Sequence, residues 1–596
     1  MAQEDSRIGI TAEQVARISE HGMWDPDGSV RPEAVRMAAT LVDAVRARSA
    51  EGRVPDELGD VVERALNMVV PTFHRIPGAN GVGLSAHMLQ QITTRPCPLV
   101  VIPAGWTPVG WPLFEYGYLT LALKGYHVVA YTPRGIGWTT FPGTNKPWIG
   151  TSEGTVDVAG PLDREDGRKV LDFAIEALAP SRVAFFGESY GSGISQLVAA
   201  EDDRVDAVVA LSTWGNLATS LYDNGTRHTR TVAALLDLTG GDRADKFDAD
   251  TLEILTRFEE GGDMDPVVEW GEERSPENYV GGAGPVPTFF CNTWHEGLFP
   301  PNQMLRTFQK LTGPKHLSMW IGDHAVPEGP GLIAPSLTPN VALREAYAWL
   351  DHYLMDEDNG VDTWPEVTNQ VMFTYVTTPA GDNGDHVIIE PARREQKRSW
   401  SAVTTDTETL ILTGAHGSGD GALLPEATAD TTGWRRSFSV GKEPEIVAMD
   451  AILSTGQREW EGNPKAYRVD EIDRGHALVW STEPFASSRR IRGIPRVRLG
   501  IDSTESAATV IVYLLDVDAD GVGRMITHEP MTVSSGLPAT PVWEMQAAAY
   551  DMSPGHRLMA VVDSMDPHYS TDNILDATIT VGSFDGAACF VEIPLG

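Results

Sequence analysis

Between residues 98 and 211 short, wholly apolar runs alternate with longer stretches whose apolar positions recur every three or four residues. Pro98–Ile102, His127–Tyr131, Arg182–Phe186 and Ala207–Leu211 read as buried strands, and Glu115–Lys124, Asp163–Leu178 and Ile194–Ala200 as the helices between them. Continuous apolar strands separated by helices predict a parallel sheet covered on both faces. The rhythm pauses over 215–284, an acidic, mostly helical stretch with Gly-rich ends. It resumes with the strand Thr288–Cys291, the helix Gln303–Leu311, the strand His316–Trp320 and the helix Val341–Leu354. An insertion at that point predicts a cap over the C-terminal strand ends, where α/β sheets bind ligands.

The two ends of the chain differ from this middle. Residues 1–69 read as a helical extension. Arg31–Ala50 carries an apolar stripe at Val35, Ala38, Leu41, Val42 and Val45, and Leu58–Val69 repeats the pattern. After about residue 366 the period falls to two, in Leu410–Leu412, Arg496–Leu499, Thr509–Leu515 and Leu558–Val562, with turns at Asp520-Gly521 and Ser553-Pro-Gly555. That predicts an all-β domain of sandwich or jelly-roll type over 367–596. The expected layout is an extension (1–69), an α/β domain (70–214 and 285–366), a cap (215–284) and the β domain.

A chain of 596 residues fits roughly three to four domains. Its 46 basic and 83 acidic residues give a net charge of −37, which repels nucleic acid and anionic membranes, so neither is an expected partner. The acidity reads as solubility. The first residues, MAQEDSRIGI, lack a basic segment followed by an apolar one, and no run reaches the ~18 apolar residues of a membrane span. The expectation is a soluble cytoplasmic protein. Cys97, Cys291 and Cys589 are too far apart for a disulfide framework or a CxxC metal pair.

Chemistry concentrates at Gly187-Glu188-Ser189-Tyr190-Gly191, which follows an apolar strand and precedes a helix. This is the strand–turn–helix of a nucleophile elbow, with Ser189 lifted off the sheet edge and the Tyr190 N–H facing a developing oxyanion. A serine nucleophile needs a base and an acid to orient it, here in the chain order Ser, acid, His and just past strand ends. His324, in Trp320-Ile-Gly-Asp-His324, fits the base, whereas His316 begins its strand at the wrong sheet edge. Glu296 is the carboxylate after Thr288–Cys291 and fits the acid. Asp323 is the rival, but it is the neighbour of His324 in sequence. His295-Glu296 opens like a zinc HExxH, yet the fifth residue is Phe299. The loop after Pro98–Ile102 offers the backbone of Gly105 or Trp106 as a second oxyanion donor. Trp106, Trp111, Trp138, Trp148, Trp214 and Trp294 fall on loops near strand ends and suggest an apolar pocket wall, with Trp111, Trp138, Trp214 and Trp294 the substrate-pocket candidates. Tyr131–Gly137 is Gly-rich but lacks the Lys-Ser/Thr of a phosphate loop. Asp516–Gly521 opens like a calcium loop, but Thr527 stands where the bidentate glutamate belongs, so a hairpin turn is expected. No metal and no cofactor are expected.

These residues together resemble the cocaine esterase and X-prolyl dipeptidyl-peptidase (CocE/NonD-like) family of α/β-hydrolases over about residues 72–596. Gly187–Gly191 resembles the family's G-x-S-Y-x-G elbow. Asn292–Gly297 stands in the place of its G-W-Y-D-G segment with glutamate for aspartate, and Ile321–His324 in that of its G-P-W-x-H histidine. Trp480–Pro484, Gly493–Pro495, Leu514–Gly521 and Ser553–Arg557 resemble its C-terminal jelly roll. The resemblance implies a Ser–His–acid hydrolase with a helical cap and a jelly roll that helps shape the site. Three features depart from it. Trp106 lies near the position of the family's oxyanion tyrosine, Thr132 stands where aspartate precedes Arg-Gly, and the first 69 residues lie outside the pattern. The expected reaction is cleavage of an ester or amide of a bulky, apolar small molecule through an acyl-enzyme. An X-prolyl dipeptidyl-peptidase or other aminopeptidase-like amide hydrolase, an acyltransferase with the same triad, and a non-catalytic binding protein stay open, as does a homodimer.

Overall fold

The computed structural model describes residues 9–596 apart from 26–27, 281–283, 337–339, 382–383 and 415–418. Its first layer is a ten-stranded sheet built from β1 (Val69–Pro77), β2 (Gly83–Gln91), β3 (Leu99–Pro103), β4 (His127–Tyr131), β5 (Val183–Glu188), β6 (Ala207–Leu211), β7 (Thr288–Thr293), β8 (Lys315–Trp320), β9 (Val367–Gln370) and β10 (Arg394–Lys397). The spatial order is β1-β2-β4-β3-β5-β6-β7-β8-β9-β10. From β4 through β9 neighbouring strands run parallel, while β1, β2 and β10 are antiparallel to their neighbours. Residues of β3, β4, β5 and β6 are buried throughout, as strands covered on both faces must be. The chain therefore has an α/β domain joined to an all-β domain.

Two parts of this sheet differ from the sequence-based expectation. The hairpin β1–β2 carries polar residues such as His74, Arg75, Ser85 and His87 along its length, which hides its period. The sheet also continues past residue 366. Strands β9 and β10 come from the stretch assigned to the β domain and extend the sheet beyond β8.

Beyond residue 400 the structure is almost wholly antiparallel. A twelve-stranded, curled sheet is centred on Ala508–Val517, Val522–Val533 and Arg557–Asp563. Asp516–Gly521 joins the first two strands as a hairpin turn. Asp518 Oδ1 accepts from the N–H groups of Asp520 and Val522, both at 2.9 Å, so it closes the turn on itself.

The helices Ala12–His21, Pro32–Ala47 and Asp56–Met68 form the N-terminal extension. Thr11 and Gln14 make a capping box at the first, and Pro32 opens the second. The extension packs its apolar stripe into the hydrolase core, and His21 meets Glu461 of the β domain at 3.1 Å. Among the described residues the insertion between β6 and β7 contains five short α-helices, one 3-10 turn (Pro276–Asn278) and a small hairpin, Tyr222–Asp223 with Thr226–Arg227. That hairpin is tied to the β domain: Asn224 Nδ2 donates to Glu529 at 2.9 Å, and the hydroxyls of Thr226 and Thr532 lie 2.7 Å apart. Among the described residues no helix is long and apolar enough to cross a membrane.

Candidate active site

Ser189 stands between the end of β5 and the helix Tyr190–Glu201, at φ +54° and ψ −124°. A non-glycine residue persists in such a conformation only where its surroundings enforce it. The enforcement is steric. A Cβ on Gly187 would lie 2.1 Å from the Gly191 backbone, and one on Gly191 would lie 2.0 Å from the Pro103 carbonyl oxygen. The turn closes only with glycine at both positions. Ser212 and Ala325 also hold positive φ beside the site, and the Ala325 N–H donates to the Ser212 hydroxyl at 2.8 Å.

His324 reaches Ser189 from the loop after β8. Its Nε2 lies 2.7 Å from Ser189 Oγ, and its Nδ1 lies 2.9 Å from Glu296 Oε1, on the loop after β7. In the neutral ring Nδ1–H donates to the glutamate, which leaves the Nε2 lone pair facing the serine hydroxyl. Glu296 Oε1 also accepts from the N–H groups of Leu298 and Phe299, at 3.1 and 3.3 Å.

Asp323 takes a different part. One of its oxygens accepts from the N–H groups of Gly297 and His324, at 2.6 and 2.7 Å. The other accepts from the N–H of Leu453, in the β domain, at 2.7 Å. Asp323 thus pins the Glu296 loop, the His324 loop and the β domain together. His295, beside Glu296, faces Glu459 and the Ile526 carbonyl of the β domain, at 2.8 and 3.2 Å.

Four buried carboxyls surround His324: Glu188, Glu296, Asp323 and Glu328. Burial drives the His324 imidazolium down, but the Glu296 carboxylate, followed by the charges of Glu188 and Asp323, outweighs it and raises the ring to about 9. Burial pushes Asp323 to about 6, Glu328 to about 7 and Glu188 to about 8, helped in each by neighbouring carboxyls. Glu328 accepts from the Ser212 hydroxyl at 2.6 Å.

Backbone N–H groups also flank Ser189. Tyr190 opens its helix, so its N–H has no acceptor within that helix. The Tyr190 ring is fixed by its hydroxyl, which donates to Asp163 and accepts from the Ala159 N–H at 2.9 Å. Burial, then Asp157, pushes the Asp163 carboxyl up to about 8. On the other side of Ser189 the loop Gly105–Trp106 follows β3. The Trp106 indole N–H donates to the Leu235 carbonyl of the cap at 2.9 Å, and its ring meets Tyr190 edge-on at 5.0 Å.

Above Ser189, under the cap, lies a cavity of about 70 Å³. Leu221, Val232, Leu255, Phe258 and Trp270 line it from the cap, and Trp214 and Phe299 from the sheet ends. No charged side chain lines it among the described residues. Of the tryptophans expected in the wall, Trp106 and Trp214 line it and the others do not. Trp111 is buried against β2, its indole N–H on Ser85 Oγ at 2.9 Å. Trp294 donates to the Gln370 carbonyl at 2.8 Å and Trp148 to that of Val109 at 2.7 Å. Trp138 packs beside Gly240, outside the cavity. Position near a strand end did not separate rings that face the cap from rings that face the sheet. Phe258 and Trp270 were missed because, on amphipathic cap helices, they look like ordinary core. Among the described residues the one carboxylate–histidine cluster spaced for an ion is Glu445, Asp473 and His476 in the β domain, away from Ser189.

A serine hydroxyl, imidazole and carboxylate in line, on an elbow at the C-terminal edge of an α/β sheet, define a serine hydrolase of the α/β-hydrolase fold. Two family models match: X-Pro dipeptidyl-peptidase (S15 family) over residues 80–326, and the X-Pro dipeptidyl-peptidase C-terminal non-catalytic domain over residues 359–586. Together they span most of the chain, and the protein belongs to this family. Three solved structures share the fold. An aminopeptidase from a marine sediment archaeon of the Thaumarchaeota is 16% identical, with a TM-score of 0.65 over 89% of this chain and 96% of that one. An α-amino acid ester hydrolase is 16% identical, with a TM-score of 0.63 over 89% and 97%. A CocE/NonD family hydrolase from Staphylococcus aureus is 11% identical, with a TM-score of 0.64 over 89% and 94%. No curated protein sequence matches.

Proposed function

We propose that the protein hydrolyses esters of small molecules with a bulky apolar acyl or alcohol group, through an acyl-enzyme on Ser189. The observation that carries this reading is the Ser189–His324–Glu296 chain at the floor of a cavity lined by no charged side chain. Ser189 Oγ attacks the ester carbonyl while its proton passes to His324 Nε2. Glu296 holds the Nδ1–H tautomer and stabilises the imidazolium. The N–H groups of Tyr190 and of the Gly105–Trp106 loop receive the oxyanion, and His324 returns the proton to the departing alcohol. Water then repeats the sequence on the acyl-enzyme.

The aminopeptidase and the α-amino acid ester hydrolase are named for substrates that carry an amino group. An ammonium entering this cavity meets no carboxylate in its lining, and burying a charge unpaired is unfavourable. This supports ester over X-prolyl peptide as substrate. Ser189→Ala lowers kcat on an activated ester by ~10⁴-fold or more. A fluorophosphonate labels Ser189 in the wild type. An aminoacyl-prolyl anilide turned over faster than every apolar ester in a panel would refute the substrate assignment and leave the triad standing.

A further inference from the structure

Three of the four carboxyls around His324 have evident structural work. Glu296 holds the ring, Asp323 pins three backbone segments, and Glu328 takes the Ser212 hydroxyl. Glu188 is different. It is the last residue of β5 and only 6% exposed. No hydrogen bond contributes to the state of its carboxyl; burial and the charges of His324, Glu328 and Glu296 do. Its Oε1 lies 3.6 Å from His324 Nε2, on the ring edge opposite Glu296. Its Oε2 fills the space beside Gly105, where a Cβ would come within 2.4 Å of it. Beside it lies a small cavity of about 10 Å³, lined also by the Tyr118 side chain. The Tyr118 hydroxyl is buried without a hydrogen-bond partner among the described residues.

We propose that Glu188 is a second carboxyl partner of His324, a positioning residue that holds the imidazolium from the Nε2 side both in the resting enzyme and as the serine proton is transferred. The proposal rests on the triad reading above. In the protonated ring the Nε2–H faces Ser189 Oγ at 2.7 Å and Glu188 Oε1 at 3.6 Å. A proton taken from solvent onto Nε2 pairs with Glu188, and Ser189 then has no base. When the proton comes from Ser189 instead, the same carboxylate stabilises the same cation while Oγ bonds to the carbonyl carbon. The proton then leaves Nε2 for the alcohol oxygen as the C–O bond breaks. Glu188 neither gains nor loses a bond in either step. Once ionised, above about pH 8, its carboxylate strengthens the base and moves the pH at which that base becomes available upward. The groups facing His324 are Glu296 from the loop after β7, Asp323 and Glu328 from its own segment, and Glu188 from β5. Glu188 itself faces His324, Glu328, Glu296 and the Tyr118 hydroxyl.

The test is the pH dependence of fluorophosphonate labelling at Ser189 and of kcat/KM on an activated ester, in the wild type, Glu188→Gln and Glu188→Asp. In the isosteric, uncharged Glu188→Gln the acid limb moves down by about one pH unit and the alkaline plateau falls several-fold, because the base is weaker. Glu188→Asp restores the charge and brings the limb back toward the wild-type position. A folded Glu188→Gln protein whose limb coincides with the wild type overturns the proposal. A wild type that does not label at Ser189 refutes the triad reading instead, so the two failures are told apart.

Discussion

At the scale of single residues, the elbow is governed by atoms that are not there. Gly191 approaches the Pro103 carbonyl so closely that one methyl group would overlap it. Gly191→Ala therefore costs stability of about 1–3 kcal/mol and displaces Ser189, which a lowered melting temperature together with lost fluorophosphonate labelling would record. Glu296→Gln presents an amide N–H to Nδ1 and favours the Nε2–H tautomer, so kcat falls by about 10⁴, as in other serine triads. His324 is raised to about 9, mainly by Glu296 against burial. A base with its proton held more tightly is freed only at higher pH, so kcat/KM climbs through the neutral range into the alkaline. The triad was legible in the sequence because its residues follow strand ends in a fixed chain order. Glu188 stood inside the motif and Asp323 beside the histidine, but their roles were not legible. Both depend on which way a buried carboxyl points, and no periodicity encodes that.

At the scale of elements, the buried guanidinium of Arg492 joins the two domains. It donates to Glu395 of β10 at 2.8 and 3.0 Å, to Asp551 at 2.7 Å, and to the carbonyls of Ile491 and Tyr550. Burial would raise the Glu395 carboxyl, but Arg492 and Arg490 overcome it and hold the group at about 2. A depressed carboxyl contributes stability that is complete above its unfolded value near 4.3 and is lost as pH falls toward 2. Glu395→Gln leaves Arg492 with Asp551 as its one carboxylate and lowers stability by about 2 kcal/mol at neutral pH. The gap in melting temperature between variant and wild type closes as the buffer approaches pH 2. The elements themselves were legible to different degrees. The central parallel strands are apolar along their whole length and announce themselves. The strand Arg489–Gly493 holds three arginines in five residues, because Arg490 and Arg492 pair with Glu395 across the domain boundary and Arg489 with Glu408 inside the β domain. The same disguise covers β2, where buried His87 meets Glu115 at 3.0 Å and Gln91 donates to the Ala122 and Tyr126 carbonyls.

At the scale of the whole molecule, the cap closes over the sheet while its hairpin is bonded to the β domain, so the β domain holds the cavity's roof without lining it. Its apolar lining predicts that kcat/KM rises with acyl chain length, by up to about fourfold per methylene until the space is filled. Leu255→Asp places a charge in the wall and flattens that series, which a homologous set of p-nitrophenyl esters would show. The Asp323–Leu453 bond has a further consequence. Because the loop that carries the base is fastened to a separate domain, turnover reports on whether the domains are seated. On warming, slight separation of the β domain frees His324 while every helix and strand is still intact. Inactivation then precedes melting, like a fuse that opens before the wiring fails. Residual activity falls at a lower temperature than the circular dichroism signal, and cooling before the main transition restores it.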